Sequence, residues 1–392
     1  MTKVSMWRQA GSKAWLGALA VAAALLHFNL LPVDATALRY DIRNAGKNRI
    51  DQGRMVQGYY QDLNQADAEN HGGIANALAG AIVEGDDRPR GPARFSDSGA
   101  TRKSAAGYLS YELIPGIEVQ HLGVPIKVNR FGQRDRDYDL QKPPSTFRIA
   151  MVGASNSMGW GVRVEEAFPE LVEERLNREL AGRGFERYEL INFSVPGYSV
   201  VELLYVVEEI VSPFAPDLIL VETCAEEIQW NTVDRVAMRF HRGFEVRYEF
   251  LQQIIDEAGV SRTDRRQRLL RRLMPAKQAI NMGMYRYLGE LSRTMKTPIA
   301  LLLLRIEVAP RIHPLLDWSA EVAAEHGLIP LKVYQAFEDG DGQSMYLSEQ
   351  GDHHPSAKAH ALLADDIFEQ LLQEPRTREM LLGGATKGNQ GS

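Results

Sequence analysis

The chain has 392 residues, of which 44% are hydrophobic and 24% charged, and its formal net charge is -6 at pH 7. This composition is typical of a globular protein with one large domain and appendages or with two domains, and the negative charge gives no argument for nucleic acid as a partner. The single cysteine, Cys224, excludes an intrachain disulfide framework and a cysteine-rich zinc site.

Residues 1–37 have the pattern of an export segment. Lys3, Arg8 and Lys13 precede an apolar run at residues 14–31, and this order is typical of a signal peptide or a signal anchor whose amino end stays in the cytoplasm. The run is longer than the apolar core of about 7 to 15 residues in cleaved signals. A membrane anchor is therefore favoured, with cleavage after the ATA stretch at residues 35–37 as the alternative. The anchor and the cleaved signal both predict that the domain lies outside the cytoplasm, in the periplasm or the extracellular space.

Two segments are predicted to connect this start to the main domain. Residues 38–104 are polar and rich in Gly, Asn, Asp and Arg, with a short helical pattern at residues 54–63, which indicates a linker. Residues 105–146 alternate apolar and polar side chains around a Pro-Gly pair. This alternation predicts a small β-rich lead-in with two short strands joined by a turn.

From residue 147 to 375, short apolar runs alternate with longer amphipathic ones. Continuous apolar strands separated by helices predict a five-stranded parallel sheet covered on both faces, which is a three-layer α/β/α sandwich. A helical insertion is expected at about residues 231–296, and residues 376–392 are expected to form a disordered tail. The strand-like runs lie at residues 147–152, 188–193, 216–223, 298–306 and 328–334.

The insertion contains a cluster at residues 262–277 in which seven Arg or Lys residues accompany one acid, Asp264. Such a cluster is either a solvated helix face or a basic surface for anionic lipid headgroups or an acidic polysaccharide. The sequence leaves both interpretations open.

The loop after the first strand, at residues 153–161, is the first candidate for a functional site. Ligands of parallel sheets bind beyond the carboxyl ends of the strands, and this loop is rich in glycine and serine. One interpretation is a simple connection in which a serine caps a helix, and Ser157 is the expected cap. The other is a loop that presents one hydroxyl, that of Ser155, as a nucleophile.

Four motifs in this order resemble those of the SGNH (GDSL-type) hydrolase superfamily, and the resemblance covers about residues 107–372. The segment NRFGQRDRDYDL at residues 129–140 also resembles a lead-in of bacterial members that carry an amino-terminal anchor. The resemblance implies a flavodoxin-like three-layer sandwich. The motifs are GASNSMGWGV at 153–162, NFSVPGYS at 192–199, TCAEEIQWN at 223–231 and EQGDHHPSAKAH at 349–360.

The resemblance also implies a role for individual residues. Ser155 matches the nucleophile, His354 matches its general base and Asp352 matches the carboxylate that orients the imidazole. The backbone N–H groups of Ser155 and Gly197 match the donors of the oxyanion hole. No cofactor and no metal is implied, although the Asp-His-His run that includes His353 could by itself bind a metal.

Two positions depart from the family pattern. Ala154 stands where the family has an acid, and Glu226 stands where it has an asparagine that donates to the oxyanion. An ionised carboxylate cannot donate a hydrogen bond, so Glu226 could take part in the oxyanion hole only when protonated. Gln229 or Asn231 could supply an amide in its place.

The sequence therefore predicts a serine-dependent acyl-ester hydrolase that acts outside the cytoplasm on an acyl ester or an acylated saccharide. One alternative is an O-acyltransferase or deacetylase acting on surface polysaccharide. Another is a non-catalytic envelope or polysaccharide-binding module, in which Ala154 and Glu226 mark a lost activity.

Overall fold

The computed structural model describes residues 95, 98–104, 108–225, 227–306, 314–337, 343–347 and 352–384. All of them belong to one compact unit, Gly58–Ser392. The predicted export segment at residues 14–31 and most of the predicted linker lie outside the described residues. Within the described part, no helix has the length and apolarity needed to cross a membrane.

The lead-in and the residues just before it form two small antiparallel ladders. Strand β1 (Thr101–Arg102) pairs with β2 (Glu112–Leu113), and β3 (Glu118–His121) pairs with β4 (Val124–Lys127). The prediction of two strands is wrong in number, and β1 lies in the predicted linker. Strands of two to four residues are too short to show the apolar alternation by which a strand is recognised in sequence.

The predicted five-stranded parallel sheet is confirmed. Every residue of its first, third and fourth strands in chain order is buried, because both faces are covered. The strands are β5 (Thr146–Val152), β6 (Arg187–Asn192), β7 (Leu218–Cys224), β8 (Ile299–Leu304) and β9 (Ile329–Val333), all parallel and hydrogen-bonded in the order β6-β5-β7-β8-β9. The strand order reverses at β5, so the crevice at its carboxyl end is the expected ligand site.

Helices cover both faces of the sheet, as the three-layer prediction requires. The α-helices of the described residues are α1 (Ser155–Met158), α2 (Phe168–Leu180), α3 (Val200–Tyr205), α4 (Thr232–His241), α5 (Glu249–Glu257), α6 (Arg266–Leu273), α7 (Lys277–Met295), α8 (Pro314–Glu325), α9 (Ala357–Gln373) and α10 (Pro375–Leu381). Helices α2 and α9 share one apolar core with the sheet, including Val172 and Leu363. Helices α3, α4, α7 and α8 share the opposite core, including Leu204 and Met284.

The predicted helical insertion between β7 and β8 contains α4 to α7. Part of its basic cluster is used within the domain, because Arg266 pairs with Asp234 and Arg268 pairs with Asp264. Arg262 lies over the Phe240 ring, with its guanidinium carbon 4.8 Å from the ring centroid.

The predicted disordered tail begins too early. Helix α10 occupies residues that were assigned to the tail, with Pro375 in its first turn and the Glu374 side chain accepting from the N–H of Arg376. Leu381 is fully buried, and its carbonyl accepts a hydrogen bond from the Tyr188 hydroxyl at 2.6 Å. This docking against β6 orders the segment, whereas residues 385–392 lie outside the described part.

Candidate active site

Ser155, His354 and Asp352 lie in contact at the carboxyl edge of the sheet. The Oγ atom of Ser155 is 2.8 Å from Nε2 of His354 across 199 residues of sequence. Nδ1 of the same imidazole is 2.6 Å from Oδ1 of Asp352. The structure thus brings together the three side chains that the motifs singled out, within the distance expected for hydrogen bonds between a nucleophile and its base.

The Asp352 carboxylate determines which nitrogen of His354 carries the proton. A carboxylate only accepts, so Nδ1 of His354 donates to it and Nε2 is left to accept from the Ser155 hydroxyl. Burial raises the pKa of Asp352, but hydrogen bonds from the His354 ring and backbone and from Trp160 outweigh it and hold this pKa below its usual value. Asp352 is therefore ionised at neutral pH.

The chain around residue 354 is held by its neighbours in space. The N–H of Leu347 donates to the His354 carbonyl at 3.0 Å, and the N–H of Ser356 donates to the Met345 carbonyl at 2.9 Å. Ser356 also caps α9, since its side chain accepts from the N–H of Ala359. The imidazole consequently projects from a backbone that is fixed on both sides.

A buried carboxylate holds the loop that carries Ser155. Glu222 on β7 accepts hydrogen bonds from the N–H of Ala154 at 3.1 Å and from the side-chain amide of Asn156 at 2.8 Å. It also accepts from the N–H and the hydroxyl of Ser157. Ser157 is therefore not the helix cap that was expected, because its hydroxyl donates to Glu222 instead.

The same carboxylate explains the glycine at position 153. A Cβ atom there would lie 2.3 Å from Oε2 of Glu222 and 2.5 Å from Oγ of Ser157. Both distances are well inside van der Waals contact, so any side chain at this position would displace the carboxylate or the loop.

Trp160 lies against the His354 ring. Its indole stacks on the imidazole with the ring centroids 5.1 Å apart, and its Nε1–H donates to Oδ2 of Asp352 at 3.1 Å. The loop around it is held by Arg134, whose guanidinium donates to the carbonyls of Met158, Gly159 and Val162. Trp160 therefore contacts both members of the pair formed by His354 and Asp352, and Arg134 holds the loop that carries it.

The predicted oxyanion residue Gly197 lies in the loop that follows β6, next to β5 in the sheet. This loop is tied to the Ser155 loop, because the N–H of Val195 donates to the Gly153 carbonyl at 3.2 Å. The Gly197 carbonyl accepts a hydrogen bond from the buried guanidinium of Arg235. Its φ of 74° is in the left-handed region that favours glycine.

The third predicted oxyanion position, Glu226, lies outside the described residues. Of the two amides proposed to replace it, that of Asn231 donates to Oε1 of Glu227 at 2.9 Å. The Asn231 amide thus donates to a side chain four residues earlier in the chain.

Two further histidines occur near the final helix. His353 is exposed and packs on the Tyr346 ring at 5.2 Å. His360 is fully buried, and its Nδ1 accepts from the N–H of Phe168 at 3.2 Å. Within the described part of the chain, no group of three or more His, Cys, Asp or Glu side chains could hold a metal ion.

Three residues with clear roles in the site architecture, Glu222, Arg134 and Trp160, were not identified from the sequence. The available signal for Glu222 was an acid inside the apolar run LILVETC, since a buried carboxylate needs several donors. Arg134 and Trp160 gave no comparable signal, because their partners are distant in sequence.

No family model and no curated protein matches the chain. Similar solved structures include TesA, 17% identical over 57% of this chain and 97% of that chain, with a TM-score of 0.37. A protein assigned to the lipolytic G-D-S-L family from Desulfitobacterium hafniense DCB-2 is 12% identical over 57% of this chain and 98% of that chain, with a TM-score of 0.34. An acetyl xylan esterase from Geobacillus stearothermophilus is 14% identical over 57% of this chain and 94% of that chain, with a TM-score of 0.38.

At these identities and TM-scores, the likeness carries neither a residue role nor an activity over to this chain. The solved structures similar to the chain include a protein of the G-D-S-L family and an acetyl xylan esterase.

Proposed function

We propose that the protein is an acyl-ester hydrolase of the SGNH type, with Ser155 as nucleophile, His354 as general base and Asp352 as the carboxylate that orients it. The observation that carries this proposal is the unbroken line of two hydrogen bonds, 2.8 Å from Ser155 to His354 and 2.6 Å from His354 to Asp352. A serine hydroxyl becomes a competent nucleophile when a positioned base accepts its proton.

The proposed reaction has two halves. In the first, Oγ of Ser155 bonds to the acyl carbonyl carbon while its proton passes to Nε2 of His354, and the alcohol then leaves with that proton. In the second, the oxygen of a water molecule bonds to the carbonyl carbon of the acyl-enzyme while one of the water protons passes to Nε2. The bond from that carbon to Oγ then breaks, the acid leaves, and Ser155 takes the proton back from Nε2. Asp352 stays ionised throughout and stabilises the imidazolium in both halves.

The backbone N–H groups of Ser155 and Gly197 are proposed to hold the oxyanion of the tetrahedral intermediates. Support comes from their placement, because the two loops leave the carboxyl ends of the adjacent strands β5 and β6. The hydrogen bond from Val195 to Gly153 links the two loops directly.

The proposed substrate is an acyl ester or an acylated saccharide, and the proposed location is outside the cytoplasm, anchored through residues 14–31. The basic residues followed by an apolar run support this location. A sugar hydroxyl in place of water in the second half-reaction would make the protein an O-acyltransferase by the same residues.

The test is covalent labelling of the purified protein with a fluorophosphonate, which reports an activated serine without a known substrate. We expect the wild type to be labelled, and Ser155→Ala to be unlabelled. His354→Asn should also lose labelling, because Ser155 then lacks its base, with a loss of roughly 1000-fold or more in rate.

A matched control is available in the adjacent residue. His353→Asn changes an exposed histidine of the same loop that makes neither of the two hydrogen bonds, so it should label like the wild type. A folded wild type that shows no labelling at Ser155 would overturn the proposal and favour the non-catalytic module.

A further inference from the structure

We infer that Trp160 is a positioning residue for this reaction, one that holds the Asp352–His354 pair between the Ser155 loop and the lead-in. The inference rests on the proposed function, and it concerns the indole side chain of Trp160, whose backbone N–H separately donates to the Ser155 carbonyl at 3.0 Å. It follows from two contacts that a single side chain makes with both members of the pair.

The first contact is a hydrogen bond to the carboxylate. Oδ1 of Asp352 accepts from the His354 ring and backbone, at 2.6 and 3.1 Å, while Oδ2 accepts from the Trp160 indole at 3.1 Å. With both oxygens engaged, the carboxylate cannot rotate about its Cβ–Cγ bond without losing a donor. The indole N–H therefore fixes the plane from which Asp352 reaches His354.

The second contact is the stacking of the indole on the imidazole. The two rings are inclined by 28°, with centroids 5.1 Å apart. The π-face of an indole attracts a positive charge, so this geometry favours the imidazolium that forms when His354 takes a proton. It also hinders the ring from turning out of the plane in which Nδ1 meets Asp352 and Nε2 meets Ser155.

Trp160 can act in this way because it is itself immobilised. It is only 4% exposed, and it lies between Gly159 and Gly161, whose φ angles of 82° and 71° are in the left-handed region. The guanidinium of Arg134, 1% exposed, donates to carbonyls on either side of the indole. The backbone that carries Trp160 is consequently fixed at both ends.

The indole also contacts the amino-terminal part of the fold. The His121 ring on β3 meets it edge-on at 5.0 Å, and the Phe95 ring lies 5.7 Å away. These rings form a column from the lead-in to the general base. The lead-in thereby acts on the site through Trp160, although none of its residues belongs to the proposed triad.

The test compares Trp160→Phe, which keeps an aromatic face but loses the donor, with the wild type. Hydrolysis of a short-chain activated ester should show kcat lowered by about 10- to 100-fold, the usual effect of a lost hydrogen bond to a charged group. KM should stay unchanged, because the inferred role of the indole is to orient Asp352 and His354 and not to bind the substrate. Trp160→Leu, which loses donor and stacking, should lower kcat further.

The second readout is the NMR signal of the proton that Nδ1 of His354 donates to Asp352, which needs no substrate. Trp160→Phe removes the indole donor from Oδ2 of Asp352, so the carboxylate is held less firmly and this proton signal should shift and broaden. A merely structural role would reduce the folded fraction and leave the position of the signal unchanged.

Trp318→Phe is the matched control, since this tryptophan lies on α8 and its ring contacts Tyr285. It should change neither kcat nor the NMR signal of the proton between His354 and Asp352. An unchanged signal and kcat in Trp160→Phe would overturn the inference. Absence of Ser155-dependent turnover in the wild type would instead overturn the proposed function, and the NMR signal would still show whether Trp160 positions the pair.

Discussion

His360 on α9 shows how burial changes the acid–base behaviour of a single residue. Burial, together with the charges of His354 and Arg134, lowers its pKa from 6.5 to about 3. Its Nδ1 accepts from the N–H of Phe168 at 3.2 Å, so the neutral ring is the form that the fold accommodates. In the unfolded chain, the same imidazole takes up a proton near pH 6.5.

This difference predicts a loss of stability at acid pH. The folded pKa lies below the unfolded one, so the contribution of His360 is fully present above pH 6.5 and is lost as the pH falls from 6.5 toward 3. The loss amounts to at most about 1.4 kcal/mol per pH unit within that window. His360→Asn keeps an acceptor for Phe168 but does not titrate, so its free energy of unfolding should decline less steeply over the same range.

The measurement is urea unfolding at pH 7, 6 and 5. The smaller side chain should cost His360→Asn about 1 to 3 kcal/mol at pH 7, and its deficit relative to the wild type should shrink at pH 5. The exposed His241 supplies the control. The free energy of unfolding of His241→Asn should change between pH 7 and pH 5 by the same amount as that of the wild type. A deficit of His360→Asn that stays constant with pH would contradict the prediction.

At the scale of secondary structure, the turn from β5 to α1 depends on the neighbouring strand β7. Glu222 on that strand satisfies the N–H groups of Ala154 and Ser157. These are donors that the short helix cannot satisfy itself. Gly153 provides the space that this carboxylate occupies, because a Cβ atom at residue 153 would lie 2.3 Å from it. The position of Ser155 is thus set by the contacts between its loop and β7 and not by its own short helix alone.

Gly153→Ala should therefore move the loop and slow fluorophosphonate labelling of Ser155 by roughly 100-fold, which is the scale of effect that a misplacement of about 1 Å has on catalysis. Labelling rates at equal concentrations of folded protein measure this directly. The reason is steric, since the added methyl group must displace either Glu222 or the hydroxyl of Ser157.

Gly283→Ala is a suitable comparison, because a Cβ atom there would also be crowded, at 2.3 Å from the Phe250 ring, but on α7. Both variants should lose stability, and only Gly153→Ala should lose labelling. Equal labelling rates for the two variants would show that the Glu222 contact does not position the serine.

At the scale of the whole molecule, the basic and apolar start predicts that the folded domain is exported. A reporter that is active only in the cytoplasm, fused after residue 45, should give no signal. Deletion of residues 14–31 from the same fusion should restore it, because the apolar run that directs export is then absent. A strong signal from the undeleted fusion would mean that this run is not an export segment.

The five parallel strands could be predicted from sequence because a strand buried on both faces is a continuous apolar run, and such runs are local. The residues Ser155, His354 and Asp352 could be singled out because each lies in a short motif with its own order of residues. Their contact was an expectation from those motifs. The 2.8 Å between Ser155 and His354, 199 residues apart, is a property of the folded chain.

Only the tertiary structure decided which other residues surround them. Glu222 accepts a hydrogen bond from Ala154, 68 residues away in sequence, and Asp352 accepts one from Trp160, 192 residues away. No local periodicity encodes such pairs. The same holds for α10. The sequence predicts a disordered tail there, whereas the burial of Leu381 against the sheet supplies the free energy that orders the helix. Periodicity reports which face of a segment is buried, whereas the partner on that face is determined by the packing of segments distant in sequence.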